Sequence, residues 1–221
     1  MSRGIGCRGQ RWGRYYEVEN PDSPILKLLN VRYVVSSSPL ADPGTLRRVE
    51  ELPGTTVYEN PGVLPRFFLL NRVLPASGLS EAIRLMRSDE FDPRVEAVAE
   101  GLPALAGTPA EEGTVGVLEY GAQQFAVETD SAGPALLVTS EVAYPGWRAW
   151  IDDHECTPAI VNAAFRGVLV PSGKHTVRMR FDPPILRYSA WTTLAAVFGL
   201  VTLFWFGDNK LATRQWTLKS T

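Results

Sequence analysis

Cysteine is nearly missing from these 221 residues: Cys7 and Cys156 are the whole complement, far apart and without C-x-x-C spacing. That argues against a zinc ribbon and gives little support to a disulfide scaffold. Histidine is as scarce, with only His154 and His175. Charge of either sign is not in excess, since 22 basic residues face 24 acidic ones, so the electrostatic footprint of a nucleic-acid partner is lacking. Neither G-x-G-x-x-G nor a Walker sequence occurs, which removes the common phosphate-cradling loops. The opening residues MSRGIGCRGQRWGRYYEVEN hold basic groups but no apolar h-region, so they are not a signal peptide. Long apolar runs are missing too, with one exception.

The exception is residues 188–206, YSAWTTLAAVFGLVTLFWF, nineteen residues without a charge. As a helix this run spans roughly 28 Å, close to the hydrocarbon thickness of a bilayer. Apolar residues go all the way round it, and Tyr188, Trp191 and Trp205 stand where interfacial aromatics belong. The expectation is one C-terminal transmembrane helix, followed by a short tail over residues 207–221. Elsewhere the chain is rich in turn formers, with 17 prolines and 19 glycines, and 45% of its residues are hydrophobic. Many short strands around a packed core follow from that.

Residues 1–24 show little pattern. Residues 25–99 read as a small α+β part. ILKLLN gives one or two helical turns before the strand VRYVVS, and Pro53-Gly54 turns between two strands. LPRFFLLNRVLP reads as a single central strand because both of its faces are apolar. LSEAIRLMRS reads as a helix capped by Ser80, with Ala82, Ile83, Leu85 and Met86 as its stripe. Residues 100–113 have the composition of a linker between subdomains. From 114 to 183 the pattern is an antiparallel β-sandwich, with TVGVLEYG, QQFAVETD, ALLVTSEVAY, GWRAWID, PAIVNA, FRGVLV and HTVRMRFD as strands. The fold class is therefore mainly β, ending in one membrane helix.

Along GWRAWID, Trp147, Ala149 and Ile151 share a face toward the core, while Arg148, Trp150 and Asp152 face away. In the last strand Val177, Met179 and Phe181 point inward, with Val168 and Val170 opposite them. The run Asp152-Asp153-His154-Glu155-Cys156 holds ligand-type side chains, but consecutive residues in a turn diverge, so a solvated turn is expected and no metal site. Ser140, Glu141 and His175 lack a G-x-S-x-G elbow, and His175 reads as a half-buried strand residue. Arg148 beside Trp150 can stack on a sugar or hold a phosphate, or simply pack at a rim. Arg178, Arg180 and Arg187 lie just before the membrane run, where lipid phosphate is within reach. Arg148, Trp150, Arg178 and Arg180 are the candidate binding residues; no catalytic residue and no cofactor is assigned.

In order, LLNVRYVV, VYENPGVLPRFFLL, LLVTSEVAYPGWRAWIDD and NAAFRGVLVPSGKHTVRMRFDPP, then an apolar helix, resemble the C-terminal end of the bacterial YfhO-type membrane proteins. The hallmark is a YPGW strand, here residues 144–152, followed by an RGV hairpin, here residues 166–177. Where the family commonly has Asp-Gly after the tryptophan strand, this chain has Asp152-Asp153. The resemblance implies a large polytopic protein regarded as a GT-C-type glycosyltransferase, adding sugars to cell-envelope polymers from a polyprenyl-phosphate donor. It places the catalytic acids in an early extracytoplasmic loop that this chain does not contain. This chain is then the tail of a larger protein: a β-domain outside the cytoplasm, its last membrane helix and a cytoplasmic end. Its implied partners are the bilayer and, through the parent, a lipid-linked sugar or envelope glycopolymer. The alternative is a non-enzymatic anchored module binding carbohydrate or a partner protein.

Overall fold

Turn chemistry accounts for how this chain is cut into strands. The computed structural model describes residues 7–9, 16–18, 23–88, 90–107 and 113–216. A ribbon of β1 (Cys7–Gly9) and β2 (Tyr16–Val18) comes first. Ser23 then caps α1 (Pro24–Leu28) by accepting from the Ile25 amide, with Pro24 at the start where a missing N–H is harmless. β3 (Tyr33–Ser36), β4 (Arg47–Leu52) and β5 (Thr55–Glu59) form a three-stranded sheet in the order β3-β5-β4. Gly54 makes the tight β4–β5 turn with φ +72°, as the Pro-Gly pair leads one to expect.

The apolar stretch read as one central strand is two. β6 (Phe67–Leu70) and β7 (Arg72–Ala76) break at Asn71, and β6 lies on a sheet edge. Its two faces are nevertheless both covered, which is why both are apolar. Next comes α2 (Leu79–Met86). Gly78, not Ser80, stands at its N-cap, and Glu81 reaches back to accept from the Ser77 amide at 3.0 Å and hydroxyl at 2.6 Å. Ala82 is buried, and Leu85 and Met86 pack beneath it, while Ile83 stays exposed. β8 (Ala97–Glu100) follows and runs parallel to β7, so β7, α2 and β8 make a β-α-β crossover. The sequence reading assigned no strand there. β9 (Leu105–Ala106) adds an edge to β7.

Then come β10 (Thr114–Tyr120), β11 (Gln124–Ser131), β12 (Ala135–Val142), β13 (Trp147–Ile151), β14 (His154–Cys156), β15 (Ala159–Val161), β16 (Phe165–Val170) and β17 (Gly173–Phe181). Their pairings to one another are antiparallel. They are shared between a five-stranded sheet, β10-β11-β17-β13-β14, and a seven-stranded one, β6-β12-β16-β15-β8-β7-β9. The second sheet takes strands from both sides of residues 100–113, and residues 1–180 form a single structural unit.

Two cores result. Phe125, Val127, Ala149, Val177 and Met179 from the five-stranded sheet meet Phe67, Leu137, Val168 and Val170 from the other, and Trp147 and Ile151 pack against them. This is the sandwich interface. Phe181, expected there, is only half-buried. The second core explains the edge position of β6. β6 and β7 are consecutive in the chain yet five places apart in the sheet, so the sheet curls round, enclosing Leu70, Val73, Ala97, Ala99, Leu136, Val138 and Val161. Strand β12 is thus buried on both faces, as its unbroken apolar run requires.

The second unit, residues 181–221, holds α3 (Pro184–Trp216), a single helix of 33 residues. Among the described residues no helix is long and apolar enough to cross a membrane. Side chains are described without interruption over residues 191–205, which is shorter than the expected span. In that stretch Trp191, Leu194, Phe198, Leu203, Phe204 and Trp205 are each more than half exposed. Arg187's side chain and residues 217–221 of the tail lie outside the described residues.

Candidate functional site

Strand β13 works as a divider, because its alternate side chains serve two different surfaces. Ala149 is fully buried, and Trp147 and Ile151 face the sandwich core. Arg148 and Trp150 face out, with the Arg148 guanidinium 5.2 Å from the Trp150 ring centroid. The strand turns at Asp152-Asp153, with φ +47° and +71°. Both residues are left-handed, the signature of a two-residue type I′ hairpin, and aspartate tolerates that region better than most residues. His154 and Glu155, read earlier as part of the turn, already belong to β14.

On the outer face a cleft of about 430 Å³ is lined by Trp150, Arg178, Arg180, Gln124, Glu119 and Asp153. Three of the four candidate binding residues therefore converge. Register explains it: Arg178 and Arg180 alternate outward on β17, beside β13 in the sheet. Arg148 is turned aside, donating through Nε and Nη2 to Glu155 at 2.7 and 2.6 Å. That bidentate pair holds the Glu155 carboxyl below its ordinary range. Arg178 pairs with Asp153, and Gln124 donates to Glu119 at 2.6 Å. Arg180 pairs with no acidic group among the described residues, which leaves one guanidinium available to an anion or a sugar hydroxyl.

Sequence reasoning missed a second polar cluster at the end of the sandwich. Register slips in β12 between Val138 and Val142, and Thr139 bridges the irregularity by donating to the Arg166 carbonyl at 3.0 Å. Glu141 emerges there. Its Oε1 accepts from Arg66 at 2.7 Å and from the Tyr120 hydroxyl at 2.9 Å, and Arg66 also contacts that hydroxyl. Burial, then the Glu141 hydrogen bond, raises the Tyr120 phenol above its ordinary range. Arg166, only 2% exposed, lies 3.6 Å from Glu141 Oε2 and 3.5 Å from the Trp147 ring centroid. Burial pulls this guanidinium down to about 10, against the opposing pull of Glu141, so it remains charged at neutral pH. The one signal available beforehand was an arginine inside an apolar strand, FRGVLV.

The two turns of the five-stranded sheet are tied together. Asp152 Oδ2 lies 2.5 Å from His175 Nδ1, and His175 Nε2 lies 3.1 Å from the Ser172 carbonyl. Both ring nitrogens face acceptors, so the doubly protonated ring satisfies them together. The pairing raises the His175 pKa, and its counterpart, with the Thr176 amide, lowers that of Asp152. Ser140 instead donates to the Leu28 carbonyl at 3.1 Å, so the structure does not bring it to His175. Nor do the acidic residues of the hairpin converge: Asp152 turns to His175, Asp153 to Arg178 and Glu155 to Arg148. Among the described residues no group of three or more His, Cys, Asp or Glu side chains is placed to hold a metal ion.

Neither a curated protein nor a solved structure matches the chain. A family model does, and it covers the strands just described from β10 to β17 and the first turns of α3. The matched region contains the tryptophan strand, the Asp-Asp hairpin, the buried arginine of β16 and the outer cleft. Over residues 109–193 the chain matches the family described as bacterial membrane protein YfhO, and that match supports a YfhO-type protein.

Proposed function

We propose that this chain is the membrane-proximal β unit and last membrane helix of a YfhO-type membrane protein. In this reading the β unit lies outside the cytoplasm and supports lipid-linked sugar transfer to envelope polymers. The observation that carries it is the surface of α3. Its apolar side chains over residues 191–205 are exposed on every side, which water does not favour. The three threonines within residues 191–205 return their hydroxyls to the helix: Thr192 and Thr193 donate to the Ser189 carbonyl at 2.9 and 2.8 Å, and Thr202 donates to that of Gly199 at 2.8 Å. A helix in hydrocarbon must satisfy its polar groups internally in this way. The nineteen uncharged residues 188–206 supply the length.

The outer cleft supplies the second half of the reading. Trp150 offers an aromatic face on which a sugar ring stacks, and Arg180, without an acidic partner among the described residues, offers a fork for a phosphate or hydroxyl. The β unit then holds part of a glycan or its phosphate near the membrane face, and the chemistry belongs to other parts of the protein. The same cleft serves the alternative, an anchored module that binds carbohydrate without taking part in transfer.

Two measurements test the proposal. Membranes carrying the chain, washed with alkaline carbonate, should keep it in the pellet; its release into the supernatant would remove the membrane helix. Soluble glycerol-phosphate oligosaccharide should protect Trp150 from oxidation, and Arg180→Ala should weaken that protection about tenfold. Oxidation of Trp150 at the same rate with and without the oligosaccharide would remove the cleft's role and leave the anchoring intact.

A further inference from the structure

Strand register explains how charge is distributed in the outer cleft. Glu119, Ala126 and Arg178 stand opposite one another on β10, β11 and β17, and Gln124 stands opposite Arg180. Ala126 is too short to fill its place, so the cleft opens over it. Glu119 and Arg178 are thereby two strand spacings apart, roughly 10 Å between their backbones. Glu119 accepts from the Gln124 amide instead, at 2.6 Å. Arg180 consequently faces an amide across the strands and not a carboxylate.

Arg178 is differently placed. It emerges on the same face of β17, about 6.7 Å along the strand from Arg180. Asp153, however, reaches it from the β13–β14 hairpin. Two guanidiniums at that spacing can close on one phosphate, and Asp153 prevents this by occupying one of them. The charged lining residues are Arg178, Arg180, Glu119 and Asp153, so their formal charges cancel. Once Arg178 is paired, a single guanidinium faces a ligand, and a singly charged group satisfies it. A second negative charge would find no cation and would meet two carboxylates. The turn itself does not call for a carboxylate at position 153. With φ +71° at the second position of such a hairpin, glycine is favoured and asparagine is accepted.

We infer that Asp153 sets the charge the cleft accepts: by occupying Arg178 it makes the site select a singly charged phosphate ester over a doubly charged one. The inference rests on the proposed binding of a glycan or its phosphate in this cleft, and it names the residue that decides which phosphate fits.

The test uses the full chain in a neutral polyoxyethylene detergent, with its tryptophans labelled with nitrogen-15. The probes are glucose 1-phosphate and its methyl diester at about pH 8, where the first carries two charges and the second carries one. The Trp150 indole resonance, identified by its loss in Trp150→Phe, reports binding. The wild type should bind the diester several-fold more tightly than the monoester. Asp153→Asn should raise the monoester affinity by about fivefold, the upper worth of an exposed ion pair, and the diester affinity by less. Asp153→Gly should act alike. When Arg178→Gln is added to Asp153→Asn, the gain should vanish, because no guanidinium is left to release. A wild type that binds the monoester as tightly as the diester would overturn the inference and leave cleft binding intact. So would a gain that persists in the double variant. A Trp150 resonance that neither ester moves would remove the cleft's role itself, and the inference with it.

Discussion

Two arginine–tryptophan pairs stand on opposite faces of β13, and they differ in what surrounds them more than in what they are. Arg166 lies over Trp147 at 3.5 Å, inside the sandwich, while Arg148 lies over Trp150 at 5.2 Å on the wet face. The inner guanidinium is desolvated and leans on one carboxylate, Glu141, that it shares with Arg66. The outer one is solvated and has Glu155 to itself in bidentate geometry. Better geometry therefore sits where it is worth least, because water and salt screen the outer pair. The inner pair should therefore weigh more on stability than the outer one.

The tryptophans give the widest separation. Trp147→Ala should destabilise the chain by about 3 kcal/mol, near the lower end for removing a large aromatic from a core, since Trp147 is only partly buried. Trp150→Ala should cost less than about 1 kcal/mol. Urea unfolding in mild detergent, followed by circular dichroism, measures both. Equal costs would break the comparison.

The carboxylates should repeat the contrast on a smaller scale. Glu141→Gln leaves a buried guanidinium without its counter-charge and should cost about 2 kcal/mol, below the figure for a fully buried pair because Glu141 is partly exposed. Glu155→Gln should leave the unfolding curve within experimental scatter. A large effect from the second and none from the first would assign the stabilising role to the outer pair.

The smallest effect is a pH dependence from the turn-to-turn tie. The His175 pKa is raised, so its contribution is complete below the ordinary histidine value and is lost as pH rises through the raised one. The Asp152 pKa is lowered, so its contribution is present above the ordinary aspartate value and is lost as pH falls through the lowered one. The contact is strongest between about pH 4 and 6.5. An NMR titration should place the His175 ring above a free histidine, and Asp152→Asn should bring it back. An unshifted His175 in the unaltered chain would dissolve the tie.

Much of the β architecture was legible because it rests on local patterns. Alternation in HTVRMRFD placed Val177 and Met179 inside and Arg178 outside, and Pro53-Gly54 marked its turn. What escaped depends on distant partners. The β7-α2-β8 crossover was hidden because Ala97, Val98 and Ala99 are too small to read as a strand, yet all three are fully buried by their neighbours. The position of β6 was misread because a curled sheet can cover both faces of an edge. Of the candidate site, Trp150, Arg178 and Arg180 were found from alternation, whereas the pairing of Arg148 with Glu155 needed the hairpin register. Glu141 with Arg166, and Asp152 with His175, are joined across 25 and 23 residues, and no local pattern announces them.

Sidedness tests the account most directly, since the β unit can meet an envelope glycan only from outside the cytoplasm. In the parent protein proposed above, with Cys7, Cys156 and any further cysteine replaced by serine, a single cysteine is placed at Ser172, in the turn before β17, or at Thr217. A membrane-impermeant thiol reagent should label position 172 in intact cells, and position 217 only after the membrane is opened. Labelling at 217 in intact cells with silence at 172 would put the β unit in the cytoplasm and contradict the account.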